Sequence, residues 1–174
     1  YGCAPVVVGG AAAGASALHS RRSVGTFVDD QSIELKARLA ILENKELSSQ
    51  IHASVTSFNG VVLLTGQVPS EELKVRAEAV ADKVRNVREV HNELSIAANL
   101  PASQRLSDTW LRARIRTSLA ANEEIDSGRI RVIVENNSVY LMGIVTRNEA
   151  ERIVQAVSNV GGMQRIVKVF DYLD

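Results

Sequence analysis

Residues 30–96 are repeated as residues 108–173 along their whole length, at an offset that drifts from 78 to 76. Asp30, Ile33, Ala37 and Ile41 fall on Asp108, Leu111, Ile115 and Leu119. Val55, Val62, Leu64, Gly66 and Val68 fall on Val132, Val139, Leu141, Gly143 and Val145, and Val84, Val87, Val90 and Leu94 on Val160, Met163, Ile166 and Phe170. Two one-residue slips reconcile the copies, so the chain carries a duplicated module, and a fold assigned to one copy has to serve the other. Each copy is near the smallest length, about 60 residues, that buries a stable core.

Within a copy the apolar period changes in a fixed order. Leu111, Ile115 and Leu119 recur every fourth residue, which predicts a helix with Asp108 at its N-cap. Ala53, Val55 and Ser57 then alternate toward "FNGV", and Val62, Leu64, Gly66 and Val68 alternate away from it, the pattern of a half-buried hairpin. The second copy repeats this around "ENNS", and Asn-Gly and Asn-Asn both tolerate the positive φ of a tight turn. Gly66 and Gly143 are read as backbone or packing requirements. A second helix starts at Ser70 or at Thr146, the latter with Glu149 in a capping-box position, and carries the stripe Leu73, Ala77, Val80, Ala81 and Val84. A third strand, "REVHNELSI" or "QRIVKVFDY", closes the unit. The order αββαβ predicts an α+β protein of two tandem modules, each a small three-stranded sheet covered by two helices. The expected boundaries are a tether over 1–29, a first module over 30–97, a linker over 98–107 around Pro101 and a second module over 108–174.

Charge narrows the function. Twenty basic residues balance twenty acidic ones, which argues against a nucleic-acid partner, whose phosphates demand a basic domain. His19, His52 and His91 are scattered, with no metal-ligand spacing, and no nucleophile elbow, phosphate loop or dinucleotide fingerprint is present. No catalytic residue, metal or cofactor is therefore expected, and the chain is read as a non-enzyme. The lone cysteine, Cys3, precedes an Ala/Gly-rich run too short for a membrane span, which reads as a tether.

The only tryptophan stands in "DTWLRARIRTSLA". At about 100° per residue, Leu111, Ile115 and Leu119 define the face turned to the sheet, and Trp110 lies off it with Arg114 one turn on. Two readings are open: Trp110 packs over the helix start or against the other module with the arginines as a solvated face, or the indole among Arg112, Arg114 and Arg116 meets an anionic membrane surface, where each cation contributes about 1 kcal/mol. The first copy has Ser32 at the Trp110 position and mixed charges around it. Its helix carries Leu35, Leu39 and Leu42 instead, open either to contact between the modules or to a protein partner.

The Asp-led first helix, the "VVLLTGQV" and "VYLMGIV" strands and the valines before the last strand resemble the BON domain, over about four-fifths of the chain. Cys3 followed by "RRSVGTFVDD" and two such units resembles the dual BON-domain outer-membrane lipoprotein family of Gram-negative bacteria (DolP-like). That resemblance implies an anchor at Cys3 in the periplasmic leaflet of the outer membrane, since Ala4 is not the Asp that retains enteric lipoproteins in the inner membrane. It also implies an anionic, phosphatidylglycerol-like phospholipid partner, bound by the first helix of the second module, and a role in outer-membrane integrity. The candidate lipid-binding residues are Trp110, Leu111, Arg112, Arg114, Ile115 and Arg116. The rival expectation is a protein-interaction or chaperone-like module, acting through Leu35, Leu39 and Leu42 on outer-membrane assembly proteins.

Overall fold

The computed structural model describes residues 21–174; Cys3, His19 and the rest of the first 20 residues lie outside the described residues. The first module runs α1 (Val24–Glu43), a one-turn helix α2 (Lys45–Ser48), β1 (His52–Phe58), β2 (Val61–Val68), α3 (Glu71–Asp82) and β3 (Glu89–Ile96). The second runs α4 (Ala102–Ala121), a 3-10 turn over Ser127–Arg129, β4 (Ile130–Glu135), β5 (Ser138–Val145), α5 (Arg147–Ser158) and β6 (Arg165–Tyr172). Each sheet is ordered hairpin first, with β2 antiparallel to β1 and parallel to β3, and β5 likewise between β4 and β6. The chain is thus α+β, with two αββαβ units, as the repeat predicts.

The turns follow their residues. Asn59 and Gly60 both take positive φ, 54° and 75°, and Asn136 and Asn137 take 48° and 57°, the left-handed pair that matches strand twist in a two-residue hairpin. Gly66 sits at φ 125°, and a Cβ there would lie 1.9 Å from the His52 carbonyl oxygen, so only glycine lets β1 and β2 close at this point. Thr146 and Glu149 form the expected capping box at the start of α5.

Three local expectations are corrected. Both long helices start a turn and a half or more earlier than predicted: α1 is capped by Ser23, so residues 24–29 are helix rather than tether, and α4 begins after Pro101 inside the stretch read as linker. Asp108 is consequently the seventh residue of α4, not its N-cap, and Asp30 holds the same place in α1. Both aspartates are buried and cap the hairpin instead. Asp108 accepts from the backbone N–H of Asn136 at 2.8 Å and Asn137 at 2.9 Å, and Asp30 from those of Asn59 at 2.8 Å and Gly60 at 2.9 Å. Left-handed turn residues point their N–H groups away from the ladder, and a carboxylate from the covering helix satisfies them.

The third correction concerns the sheets. β2 is buried at every position, not on alternate ones, and β5 at all but one. One face of each sheet packs on its own helices, forming the cores around Ile33, Leu64 and Leu94 and around Ile115, Leu141 and Val157. The other faces meet each other: Phe58, Val61 and Leu63 from the first sheet and Tyr140, Met142 and Val169 from the second form a third core between the modules. Burial on both sides explains why "VVLLTG" and "VYLMG" are continuous apolar runs rather than alternating ones. A polar rim surrounds this core, including Gln67 to Glu135 at 2.7 Å, Asn59 to Asp171 at 2.7 Å and Arg165 to Glu93 at 2.9 Å. The apolar contact between modules is therefore made by sheets, and Leu35, Leu39 and Leu42 take no part in it but stay exposed.

Candidate functional site

Helix α4 presents three faces, because alternate positions on a helix swing to opposite sides. Leu111, Ile115 and Leu119 are buried against the second sheet. Leu111 and Ile115 are core residues, unable to touch a headgroup without unfolding the module, contrary to the expectation that they contact lipid. Trp110 lies on the outer face and is 71% exposed. One turn before it on the same side is Leu106, 64% exposed, within the stretch expected to be linker. The signal that finds it is the i,i+4 spacing to Trp110 once the helix is extended back to Ala102.

The arginines do not form one cluster with the indole. Arg114 stays on the Trp110 side and donates through Nη2 to the Val160 carbonyl at 2.9 Å, just past the end of α5, where a cation suits the helix C-terminus. Arg112 and Arg116 point to the opposite flank of the buried stripe and line a cleft of about 700 Å³ between the modules. The far wall of that cleft belongs to the first module and the segment leading into it: Arg22, Phe27 and Gln31, with Phe58 at the end of β1. Arg131 on β4 completes the basic lining.

Two of these four guanidinium groups are already neutralised from behind. Arg22 pairs with the buried Asp30 at 2.7 Å and lies over the Phe58 ring at 4.1 Å, and Arg131 pairs with Glu34 at 2.7 Å. The segment leading into α1 is tied to the second module as well: Arg21 grips Glu149 at 2.8 and 2.9 Å. Hydrogen bonding from Arg21, above all, holds the Glu149 carboxyl down at about 2. Burial raises the Tyr140 phenol, which receives a hydrogen bond from Arg165 at 3.0 Å at the edge of the inter-module core.

Elsewhere the described surface offers little chemistry. No group of His, Cys, Asp and Glu among the described residues is placed to hold a metal ion, and no described helix is long and apolar enough to cross a membrane. The candidate features are thus an apolar pair on one flank of α4 and a basic cleft on the other.

Comparison with known proteins gives this arrangement a family. The BON domain model matches residues 29–98 and 107–174. The chain is 34% identical over 173 residues to the outer membrane lipoprotein DolP of Haemophilus influenzae, covering 99% of this chain and 90% of that protein. It is 30% identical to the 21 kDa hemolysin of Actinobacillus pleuropneumoniae, over 87% of this chain and 78% of that one, and 28% identical to the osmotically-inducible protein Y of Escherichia coli, over 90% and 80%. Two matched domains and near-complete coverage of that relative leave one assignment: the chain belongs to the BON-domain family, as a dual-BON, DolP-like protein.

Proposed function

We propose that the protein is held at the periplasmic face of the outer membrane by lipid on Cys3 and binds anionic phospholipid through α4 of its second BON module, supporting outer-membrane integrity without catalysing a reaction. The observation that carries this reading is the pairing of Trp110 with Leu106, two large apolar side chains left exposed one turn apart on the same helix. An indole prefers the headgroup region, and burying each of these side chains in acyl chains contributes about 2 kcal/mol. Arg114, the cation on their flank, supplies N–H donors for a phosphate. Such a site is weak alone and becomes occupied when an acylated N-terminus confines it near the bilayer, at an effective concentration of about millimolar. Sedimentation with phosphatidylglycerol vesicles tests it: the unlipidated chain binds, Trp110→Ala and Leu106→Ser each weaken binding about tenfold, a loss of about 1.4 kcal/mol, and equal binding by the parent and both variants refutes the site.

A second reading rests on a different helix. Leu35, Leu39 and Leu42 of α1 are exposed, at 57%, 45% and 56%, on the first module. This apolar stripe suits a protein partner in the outer-membrane assembly machinery. Site-specific crosslinking from Leu39 in the envelope decides for it if a protein adduct dominates while vesicle binding is indifferent to Trp110.

A further inference from the structure

We infer that the cleft between the modules is a binding site for a phosphate ester, separate from the apolar face of α4 and recognised chiefly by Arg112 and Arg116. The cleft exists because the two sheets pack together, which sets the N-terminal half of α1 beside the C-terminal half of α4. Four arginines line it, Arg22, Arg112, Arg116 and Arg131, and among the described residues no carboxylate does.

The four are not equivalent. Asp30 and Glu34 lie behind Arg22 and Arg131 and hold them as fixed walls. Arg112 and Arg116 have no ion-pair or hydrogen-bond partner for their guanidinium groups among the described residues. They stand four residues apart on one helix, a like-charge spacing that is unfavourable by itself. An arrangement of this kind is relieved by a bound anion, and a guanidinium fork matches a phosphate through two parallel N–H donors.

The remaining lining narrows the ligand. Thr117 and Ser127 add hydroxyls to the lining, suited to the alcohol groups of a polyol, and Phe27 and Phe58 add apolar surface, with Arg22 stacked on both rings. A volume of about 700 Å³ lies within the range of small-ligand sites and takes a phosphorylated glycerol or a hexose phosphate. A free ester and a phospholipid headgroup share this chemistry, and the experiment separates them.

Full-length unlipidated protein is titrated by calorimetry with sn-glycerol 3-phosphate in one arm and with short-chain phosphatidylglycerol below its micelle concentration in the other. The expected result is saturable binding in at least one arm, weakened about tenfold or more by Arg112→Gln/Arg116→Gln and unchanged by Trp110→Ala. Binding of the ester alone marks a soluble ligand, and binding of the lipid in addition marks a headgroup. Because removing two like charges relieves repulsion, the double variant melts no lower than the parent, so loss of binding is not loss of fold. No saturable binding in either arm, or binding indifferent to the double variant, overturns the site. Vesicle binding by the same variants keeps the outcomes apart: the apolar face stands or falls with Trp110, the cleft with Arg112 and Arg116.

Discussion

Arg131 of β4 places Nη1 2.7 Å from Oε1 of Glu34 on α1, and the same carboxylate oxygen accepts the backbone N–H of Ser57 at 2.9 Å. One side chain of the first module thus fastens its own sheet to its helix and the second module to both. Arg131→Ala is expected to destabilise the protein by about 1–2 kcal/mol, since Glu34 is largely covered and keeps only the Ser57 donor. A double-mutant cycle with Glu34→Gln in urea, at low and high salt, measures a coupling of about 1 kcal/mol that salt reduces little. Strict additivity would mean that the pair does not join the modules.

The apolar core between the sheets carries more of the union. Leu63 is fully buried within it, with Tyr140 and Met142 from the opposite sheet. Leu63→Ala is expected to cost about 2–5 kcal/mol, as a large-to-small change in a packed interior does. Leu63→Asp sets an unpaired charge in the interface and is expected to part the modules while each keeps its own helix-covered core. Small-angle scattering reads this as an increase in radius of gyration, and thermal unfolding as two transitions in place of one. A single unshifted transition would show that the sheets do not depend on each other.

Much of this architecture was legible because duplication writes every local signal twice. The hairpin turns at Asn59-Gly60 and Asn136-Asn137, the capping box of Thr146 and Glu149 and the exposed Trp110 all follow from local rules that act over a few residues. The union of the sheets was harder to read, since alternation tells which residues share a face but not what covers the second face. Leu63, Tyr140 and Met142 nonetheless left a trace in apolar runs too continuous for a half-solvated strand. Asp108 misled because an aspartate before an apolar stripe is a good N-cap, whereas its long-range partners at Asn136 and Asn137 have no local signature. Arg112, Arg114 and Arg116 look like one patch in the linear chain and are divided by the helix, whose turn puts every second residue on another side.

The Arg21–Glu149 pair makes a prediction in pH. Glu149 has a folded value of about 2 against an ordinary 4.5, so it binds its proton less readily in the native state. The stability it contributes is fully present above about pH 4.5 and is lost as pH falls toward about 2. Arg21→Ala is therefore expected to cost about 1 kcal/mol at pH 6, after solvent screening of a partly exposed pair, and almost nothing near pH 2. Urea denaturation at the two pH values checks it, and an equal loss at both would assign the role of Arg21 to its bond with the Ile144 carbonyl.

Asp108 separates two ways in which an aspartate can serve a helix. An N-cap aspartate is replaced by serine at little loss, because any short acceptor reaches the same N–H groups. The Asp108 carboxylate instead spans two backbone donors on a different element, Asn136 and Asn137, and takes a third bond from the Gln104 side chain at 3.0 Å. Asp108→Ser is too short to reach the turn and leaves the N–H groups of exposed Asn136 and half-buried Asn137 without this acceptor, at an expected cost of about 1–3 kcal/mol. Asp108→Asn keeps one acceptor oxygen and is expected to lose about half as much. Amide hydrogen exchange locates the loss: protection falls first at Asn136 and Asn137 and not at the start of α4, where Pro101 already marks the helix entry. Fraying of α4 from residue 108 with the hairpin intact would return Asp108 to the role of an N-cap.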